Sequence, residues 1–518
     1  MNDDGGIKVT PEDRRYPALC RGFNPRWLAH PQYIRLVSTN EQVKHALQYA
    51  MDNKPATGTR TRVTVRSGGH CYENFVCADD VRVIIDVSLM NGIYDDPAMG
   101  AICVEAGATN ADLRKQLYLK TGKVLPGGSC PSVGVGGHVP AGGFGLLSRQ
   151  FGLTVDYLYA VEVAVVDKEG QVKLVTACRD HKGVDDDLYR LWWAHAGGGG
   201  GNFGIVTKFW FKDLPDAPQR VLLAGSGWKW SEMGDTSTHF AQIIRTFCEF
   251  FASPKAADPA QFGPLFAILL LTHRSKDKLG LIAQIDAGVP DAKARMEAFH
   301  QVMGSAIPLD LVELDEAHGE YPALTGLDGP TMLPWDVVDK LMAPTDNLRA
   351  GKYKSAYMLK PLTEQHISAL WEALACEGDV QRDAVVQIDS YGAAINKVAV
   401  DDTAVLQRSS ILKLQHQVYW PAAADDGDQL RWIRELYRNM YRDTGGVPVS
   451  ATKEHPTVTD GCYIGYPDVD LNGPPWNTSK IPWSTLYYGR HYAELRKVKK
   501  CWDPRNVFRH QQSIEPPT

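Results

Sequence analysis

The sequence predicts an α+β fold in two parts of different texture, and three observations carry that expectation. Short strand-like and helix-like segments alternate up to about Leu214. From about Pro215, longer apolar strands alternate with longer helices, the pattern of a large antiparallel sheet covered on one side by helices. Two glycine-dense runs, 126–145 and 197–201, break into the first part. Neither run can be a helix or an ordinary strand, because glycine there costs backbone entropy and supplies no side chain to pack. Apolar residues flank the first run directly (Val133, Val135, Phe144, Leu146, Leu147), which argues against a flexible linker.

Residues 33–54 read as a short strand followed by a helix, with Asn40 as the expected N-cap and Val43, Leu47 and Ala50 on one face. TRVTVRSGGH (61–70) is a strand ending in a Gly68-Gly69 turn, and VRVIIDVSLM is a further strand. AICVEAGATN (101–110) is a strand running into a turn, with Asn110 expected to cap the helix ADLRKQLYLKTG. Residues 155–175 read as two strands joined at Lys168-Glu169-Gly170, and 186–212 as a helix, the second glycine run and a strand. In the second part, VLLAGSGWKW, FAILLLTH, GLIAQIDAG and AVVQIDSYGAAINKV read as strand-like pieces. THFAQIIRTFCEFFAS, PDAKARMEAFHQVM, TEQHISALWEALAC and QLRWIRELYRNMYRDTG read as helices. Residues 328–345 read as proline-rich loops. The tail from Ala451 reads as loop-rich with one helix at AELRKVKKCW.

The chain has 518 residues, enough for two or three domains or one large two-part enzyme. A formal net charge of −6 with no basic block argues against a nucleic-acid partner. No apolar run reaches membrane-spanning length, and the polar, acidic start of the sequence has no secretory h-region, so a cytoplasmic location is the expectation. Ten cysteines lie scattered without a CxxC pair, which points to reduced, mostly buried thiols and gives no support for a metal site.

Two nucleophilic side chains stand beside glycines. His70 ends Arg66-Ser67-Gly68-Gly69-His70, and Cys130 closes Gly127-Gly128-Ser129-Cys130. Imidazole and thiolate can both bond covalently to an electrophilic cofactor. Bare N–H groups in glycine runs can line an anionic ligand without making the surface basic. Taken alone, a histidine after a turn is as readily a satisfied polar residue, and a cysteine core packing.

The order of these pieces, RSGGH, then PGGSCPSVGVGGH, then the glycine run with NFGIV, then WDPRNVFRHQQSI (502–514), resembles the FAD-linked oxidases of the vanillyl-alcohol oxidase superfamily. Within them it is most similar to the berberine bridge enzyme-like branch and its actinomycete natural-product oxidases. The resemblance implies a two-lobed FAD-binding domain of the PCMH type, built from residues 1–215 and 451–518, with a substrate-binding domain at 216–450. It implies FAD bonded twice, through His70 and Cys130. Arg66, Ser67, Gly68 and Gly69 would form one phosphate loop, and Gly134, Gly136, Gly137, His138, Gly142 and Gly143 a second. Gly199 to Asn202, Phe203, Gly204 and Val206 would wrap the rest, with Tyr488 also at the cofactor. One departure is visible: Pro140-Ala141 replaces part of a GGHxxGGG pattern, and proline removes an N–H from the cradle.

The same resemblance makes Tyr466 the general base, assisted by Tyr391, with a phenolate stabilised by the second phenol and the electron-poor ring. Tyr463 and Tyr487 are secondary candidates. The implied reaction removes a hydride from a hydroxyl-bearing carbon of a glycosylated natural product, with O2 reduced to H2O2. Three alternatives stand beside it: oxidation of a free mono- or oligosaccharide, use of another electron acceptor, and a flavin-binding protein without activity. Trp228, Trp230, Trp335, Tyr419 and Trp420 are candidates for stacking on a substrate ring, or for core.

Overall fold

The computed structural model describes residues 4–53, 62–234, 236–343, 349–376, 382–421, 426–452 and 456–517. Three sheets organise them. The first has four strands in the order Ile7–Val9, Tyr33–Leu36, Val81–Asp86, Arg62–Arg66, the last three mutually parallel. The helix Asn40–Asp52 buries Val43, Ala46, Leu47 and Ala50. Its N-cap is Thr39, whose side chain accepts from Gln42 N, and not Asn40, whose amide instead reaches Glu162. The second sheet is antiparallel, in the order Ile93–Asp96, Ala101–Glu105, Ile205–Phe211, Leu158–Val166, Val172–Cys178.

The third sheet has eight strands, all paired antiparallel. Its path runs Val312–Glu313, Arg220–Lys229, Lys278–Asp286, Phe266–Thr272, Asp383–Ser390, Leu412–Pro421, Arg349–Met358, with Thr331–Pro334 also on Arg220–Lys229. The helices Thr238–Ala252, Ala292–Gly304, Glu364–Leu374 and Asp426–Met440 form the layer against it. The sequence reading missed four of these strands, Val312–Glu313, Thr331–Pro334, Arg349–Met358 and Leu412–Pro421. The reading of 328–345 as loop is corrected by the strand Thr331–Pro334 and the helix Trp335–Leu341; residues 344 and 345 lie outside the described residues.

The alternation of a pleated strand decides what each face carries. Ala384, Val418 and Trp420 pack with Ile433 of the helix layer. The intervening positions Gln387, Asp389 and Gln415 face a cavity instead. Register pairs Gln387 with Gln415 and Asp389 with Lys413.

The C-terminal residues pack back on the first two sheets. The helix Tyr492–Trp502 lies on the helix Asp186–His195. Ile514 N donates to Asn202 Oδ1 at 2.9 Å, and Arg62 donates to the Arg509 carbonyl at 2.9 Å. A buried ion cluster ties four distant segments together. Lys352 pairs with Glu73 and with Asp468 (2.7 Å), Lys354 pairs with Asp468 (2.7 Å) and Asp470 (2.8 Å), and Arg434 closes on Asp470 (2.8 Å). None of the ten cysteines is in a disulfide, and Cys376 and Cys501 are exposed. Among the described residues no helix is long and apolar enough to cross a membrane.

Candidate active site

A cavity of about 320 Å³ runs between the glycine loops, the C-terminal segment and the large sheet. The first glycine run is zipped against residues 106–111. Asn110 N donates to Val133 O at 2.9 Å, Val135 N to Ala108 O at 2.9 Å, and Gly136 N to Ala106 O at 3.1 Å. Some N–H groups expected to be bare are therefore already spent on the backbone. Thr109, not Asn110, caps the following helix in a capping box with Asp112. The Asn110 side chain instead braces the Cys130 loop, its amide donating to the carbonyls of Gly128 (3.0 Å) and Cys130 (3.1 Å).

The two glycine loops press against each other. A Cβ on Gly68 would meet Gly134 N and the Ser132 carbonyl, and one on Gly134 would meet Ser67 Oγ and Gly68 N. Gly137 and Gly201 are different: both wall the cavity, and a Cβ on either would meet nothing within 4 Å. That open space above bare backbone fits a flat, anionic cofactor laid between the loops. The side chains beside it serve the loops. Ser67 Oγ donates to the Ala106 carbonyl at 2.7 Å. Asn202 binds the carbonyls of Gly198, Gly199 and Gly200 at 3.3–3.4 Å. Tyr488 hydroxyl donates to Gly198 O at 3.0 Å. Gly204 and Val206 also wall the cavity.

His138 is buried and accepts the Gly128 N–H on Nε2 at 2.9 Å. Burial and the nearby Lys413 charge push it down to about 4, so it is a neutral pin for the loop that carries Cys130.

Several expected contacts are corrected. The Arg66 guanidinium is turned away, paired with Asp86 (Nε at 2.7 Å) and with the carbonyls of Leu19 and Arg21. Most of its side-chain donors are taken by those partners, although the residue still lines the cavity. Gly142 and Gly143 do not wall the cavity; they turn the chain at φ +114° and +69°, against Val405 and Thr154. Phe203 is buried edge-to-face on His195. Trp228, Trp230, Trp335, Tyr419 and Trp420 are all buried and outside the cavity wall.

His70 and Cys130 both wall the cavity and meet at Ser132. Ser132 Oγ lies 2.8 Å from His70 Nε2 and 3.8 Å from Cys130 Sγ. Phe23 stacks on the imidazole with centroids 4.2 Å apart.

The far end of the cavity is polar and aromatic. Tyr466 lies edge-on to Tyr463 (4.9 Å between centroids) and near Tyr72 (5.4 Å). Lys413 Nζ lies 3.2 Å from the Tyr466 hydroxyl and 3.2 Å from Asp389 Oδ2. Gln387 donates to Asp389 Oδ1 at 2.6 Å and to Tyr321 hydroxyl at 3.2 Å, and Gln415 to Tyr72 hydroxyl at 3.3 Å. Glu320 walls the same end.

Tyr391 is not part of this group. It is buried behind Phe144 (5.3 Å) and Tyr357 (5.1 Å), outside the cavity wall, and the partner at the Tyr466 oxygen is Lys413. Nor is the phenol of Tyr466 acidified here. Burial, then the charges of Asp389 and Glu320, push its pKa well above the usual tyrosine value. Tyr487 sits behind the wall, its hydroxyl accepting from Asp468 N at 3.0 Å.

Lys413, Asp389, Gln387, Gln415, Glu320 and Tyr72 were not reached from the sequence. The period-two spacing of polar residues in LKLQHQVYWP and DAVVQIDS was the available signal, and a single residue separates Tyr72 from His70.

The glycine loops, the adjoining His70 and Cys130 and the tyrosine-lined end of the cavity define an FAD-dependent oxidoreductase. The family model "FAD binding domain" matches residues 31–176, and "Berberine and berberine like" matches 462–515. Aclacinomycin-N/aclacinomycin-A oxidase of Streptomyces galilaeus is 40% identical over 99% of this chain and 90% of its own length. Hexose oxidase of Chondrus crispus is 36% identical over 98% and 94%. A glycopeptide hexose oxidase solved in complex with teicoplanin superposes with a TM-score of 0.87 at 37% identity, over 98% of this chain and 99% of that one. The chain belongs to the berberine bridge enzyme-like family of FAD-linked oxidases.

Proposed function

We propose that this chain oxidises a hydroxyl-bearing carbon of a sugar, most readily one carried on a natural product, with FAD held through both His70 and Cys130. The observation that carries the reading is the Tyr466 hydroxyl, 3.2 Å from Lys413 Nζ, in the same cavity wall as His70 and Cys130. FAD bound there would supply the acceptor for the hydride, with O2 as the electron acceptor and H2O2 as product.

The side chains supply the rest. Tyr466 acts as its phenolate, its own proton having left to solvent, and takes the substrate hydroxyl proton on that oxygen. Asp389 and Glu320 oppose ionisation of that phenol, so the resting residue is protonated, and the ammonium of Lys413 is the charge that favours the phenolate. Asp389 orients Lys413 through their cross-strand pair. Gln387, Gln415 and Glu320 offer amide donors and acceptors and a carboxylate to several hydroxyls at once. A polyhydroxylated ring satisfies that wall, whereas an apolar alcohol leaves its groups unpaired. The names of the relatives, one acting on an aclacinomycin and others on hexoses, agree with a sugar and leave both a glycoside and a free sugar open.

The test is H2O2 release measured against a panel of free sugars, glycosylated aromatic natural products and their aglycones. Glycosides turned over in preference to free sugars, with the aglycones inert, are expected. Equal turnover of the aglycones would overturn the assignment to sugar. In parallel, in-gel flavin fluorescence and intact mass on wild type, His70→Ala and Cys130→Ala test the attachment. Retention in both single variants and loss in the double variant is expected.

A further inference from the structure

Tyr321 reaches the cavity wall from the loop between the strands Val312–Glu313 and Thr331–Pro334, and the reaction proposed for Tyr466 does not use it. A tight turn fixes its place. His318 and Tyr321 exchange both backbone hydrogen bonds at 3.0 Å. Gly319 turns between them at φ +62°, where a Cβ would press on Val385. The buried His318 ring lies 2.9 Å from the Glu316 carbonyl and 3.0 Å from the Lys278 carbonyl, which fastens the turn to a strand of the large sheet.

The direction of the hydrogen bond at the Tyr321 hydroxyl follows from its neighbours. The Asp389 carboxylate, ion-paired with Lys413 at 3.2 Å, only accepts, so the Gln387 atom 2.6 Å from its Oδ1 is the amide nitrogen. The Gln387 carbonyl oxygen then faces Gln417 Nε2, which donates to it at 3.2 Å. The same Gln387 nitrogen lies 3.2 Å from the Tyr321 oxygen. An amide nitrogen donates and does not accept, so the Tyr321 oxygen is the acceptor and its own O–H is directed away from Gln387. Burial, then the charges of Asp389, Tyr466 and Glu320, hold this phenol above the usual tyrosine pKa, and it keeps its proton.

A protonated phenol held by a fixed turn in a cavity wall offers a substrate an O–H donor. Its anchor, Gln387, stands two residues from Asp389 on the same face of one strand, whereas Asp389 orients the lysine beside Tyr466. The two phenols therefore address different atoms of one bound ring. We propose that Tyr321 is a specificity-determining residue: its hydroxyl donates to a second oxygen of the sugar, apart from the hydroxyl that Tyr466 deprotonates, and fixes the ring in one orientation. This rests on the reading of the chain as a sugar oxidase.

The test crosses Tyr321→Phe with removal of single substrate hydroxyls. The probes are D-glucose, D-galactose and their 4-nitrophenyl glycosides, each beside its monodeoxy derivatives, with kcat and KM read from H2O2 release. Flavin content and Tm are recorded for both proteins. For the parent sugar, Tyr321→Phe should lower kcat/KM about tenfold, the scale of one hydrogen bond, with most of the loss in KM. One monodeoxy derivative should show the same loss in wild type and no further loss in Tyr321→Phe, because the bond is already absent. An equal fall across the parent and every derivative turned over would make Tyr321 a packing residue. No fall for the parent would remove it from substrate contact. Either result overturns the inference and leaves the sugar-oxidase reading intact. H2O2 from none of the probes with wild type overturns that reading, and this inference with it.

Discussion

Lys413 Nζ and the Tyr466 hydroxyl stand 3.2 Å apart across the cavity wall, brought together from a central strand and a C-terminal loop. Replacing Tyr466 by Phe removes the proposed proton acceptor while leaving the ring packed on Tyr463 and Tyr72. Turnover should fall by about 10²–10⁴-fold, the usual share of a general base. The bound flavin spectrum and Tm should stay as in wild type. Turnover within about threefold of wild type would move the base elsewhere.

The charges around that phenol give a signed pH dependence. Asp389 raises the Tyr466 pKa, so Asp389→Asn shifts the activity-against-pH limb that reports Tyr466 toward lower pH. Lys413→Met removes the favouring charge and shifts it toward higher pH. The measurement is kcat/KM across pH 6 to 11 for the three proteins. Shifts of the same sign in both variants would contradict the arrangement.

Two glycines of the cradle should separate folding from cofactor binding. Gly137 has open space where a Cβ would stand, and Gly134 has Ser67 Oγ and Gly68 N there. Gly137→Ala is expected to keep the wild-type Tm in the flavin-free state but to lower FAD occupancy. Gly134→Ala is expected to lower Tm itself, because two backbones must part. The check is thermal melting alongside flavin content.

Acid should destabilise the fold through buried histidines. His138, His195 and His366 are all pushed by burial from 6.5 to about 4. The unfolded chain therefore binds these protons first. Their contribution is intact above pH 6.5 and is lost progressively as pH falls toward 4, on the order of 3 kcal/mol for a fully buried one. Urea unfolding at pH 7 and pH 5 on wild type and His138→Gln should show a shallower pH slope in the variant.

The ion cluster should be costly to break from one side. Lys354→Met leaves Asp468 and Asp470 buried with less compensation, a loss of about 3–5 kcal/mol. Asp470 is held below the usual carboxylate range, burial opposing and Lys354, Lys352 and Arg434 prevailing. Its share of stability is present above the unfolded carboxylate pKa and is lost as pH falls. Urea midpoints near pH 7 for wild type and Lys354→Met measure the first effect.

The strand and helix texture on either side of Leu214, the two glycine runs and the nucleophiles His70 and Cys130 were legible because each is written locally. Periodicity, turn residues and motif order need no knowledge of what lies across the molecule. The same holds for Tyr466, found from the loop that carries it. Caps were read one residue late at Asn40 and Asn110, since Thr39 and Thr109 each had an adjacent asparagine competing for the position.

What the tertiary structure alone decided was partnership. Arg66 read as a phosphate ligand until Asp86, on the neighbouring parallel strand, claimed it. Tyr391 read as the partner of Tyr466 until the sheet register put Lys413 there and left Tyr391 behind Phe144. Ser132 carried no signal until the His70 loop was laid beside it. By itself the sequence determined the cofactor class and the family and singled out candidate reactive atoms. Folding decided which of those atoms face one another, because hydrogen bonds and ion pairs act over a few ångströms of space, whatever the distance along the chain.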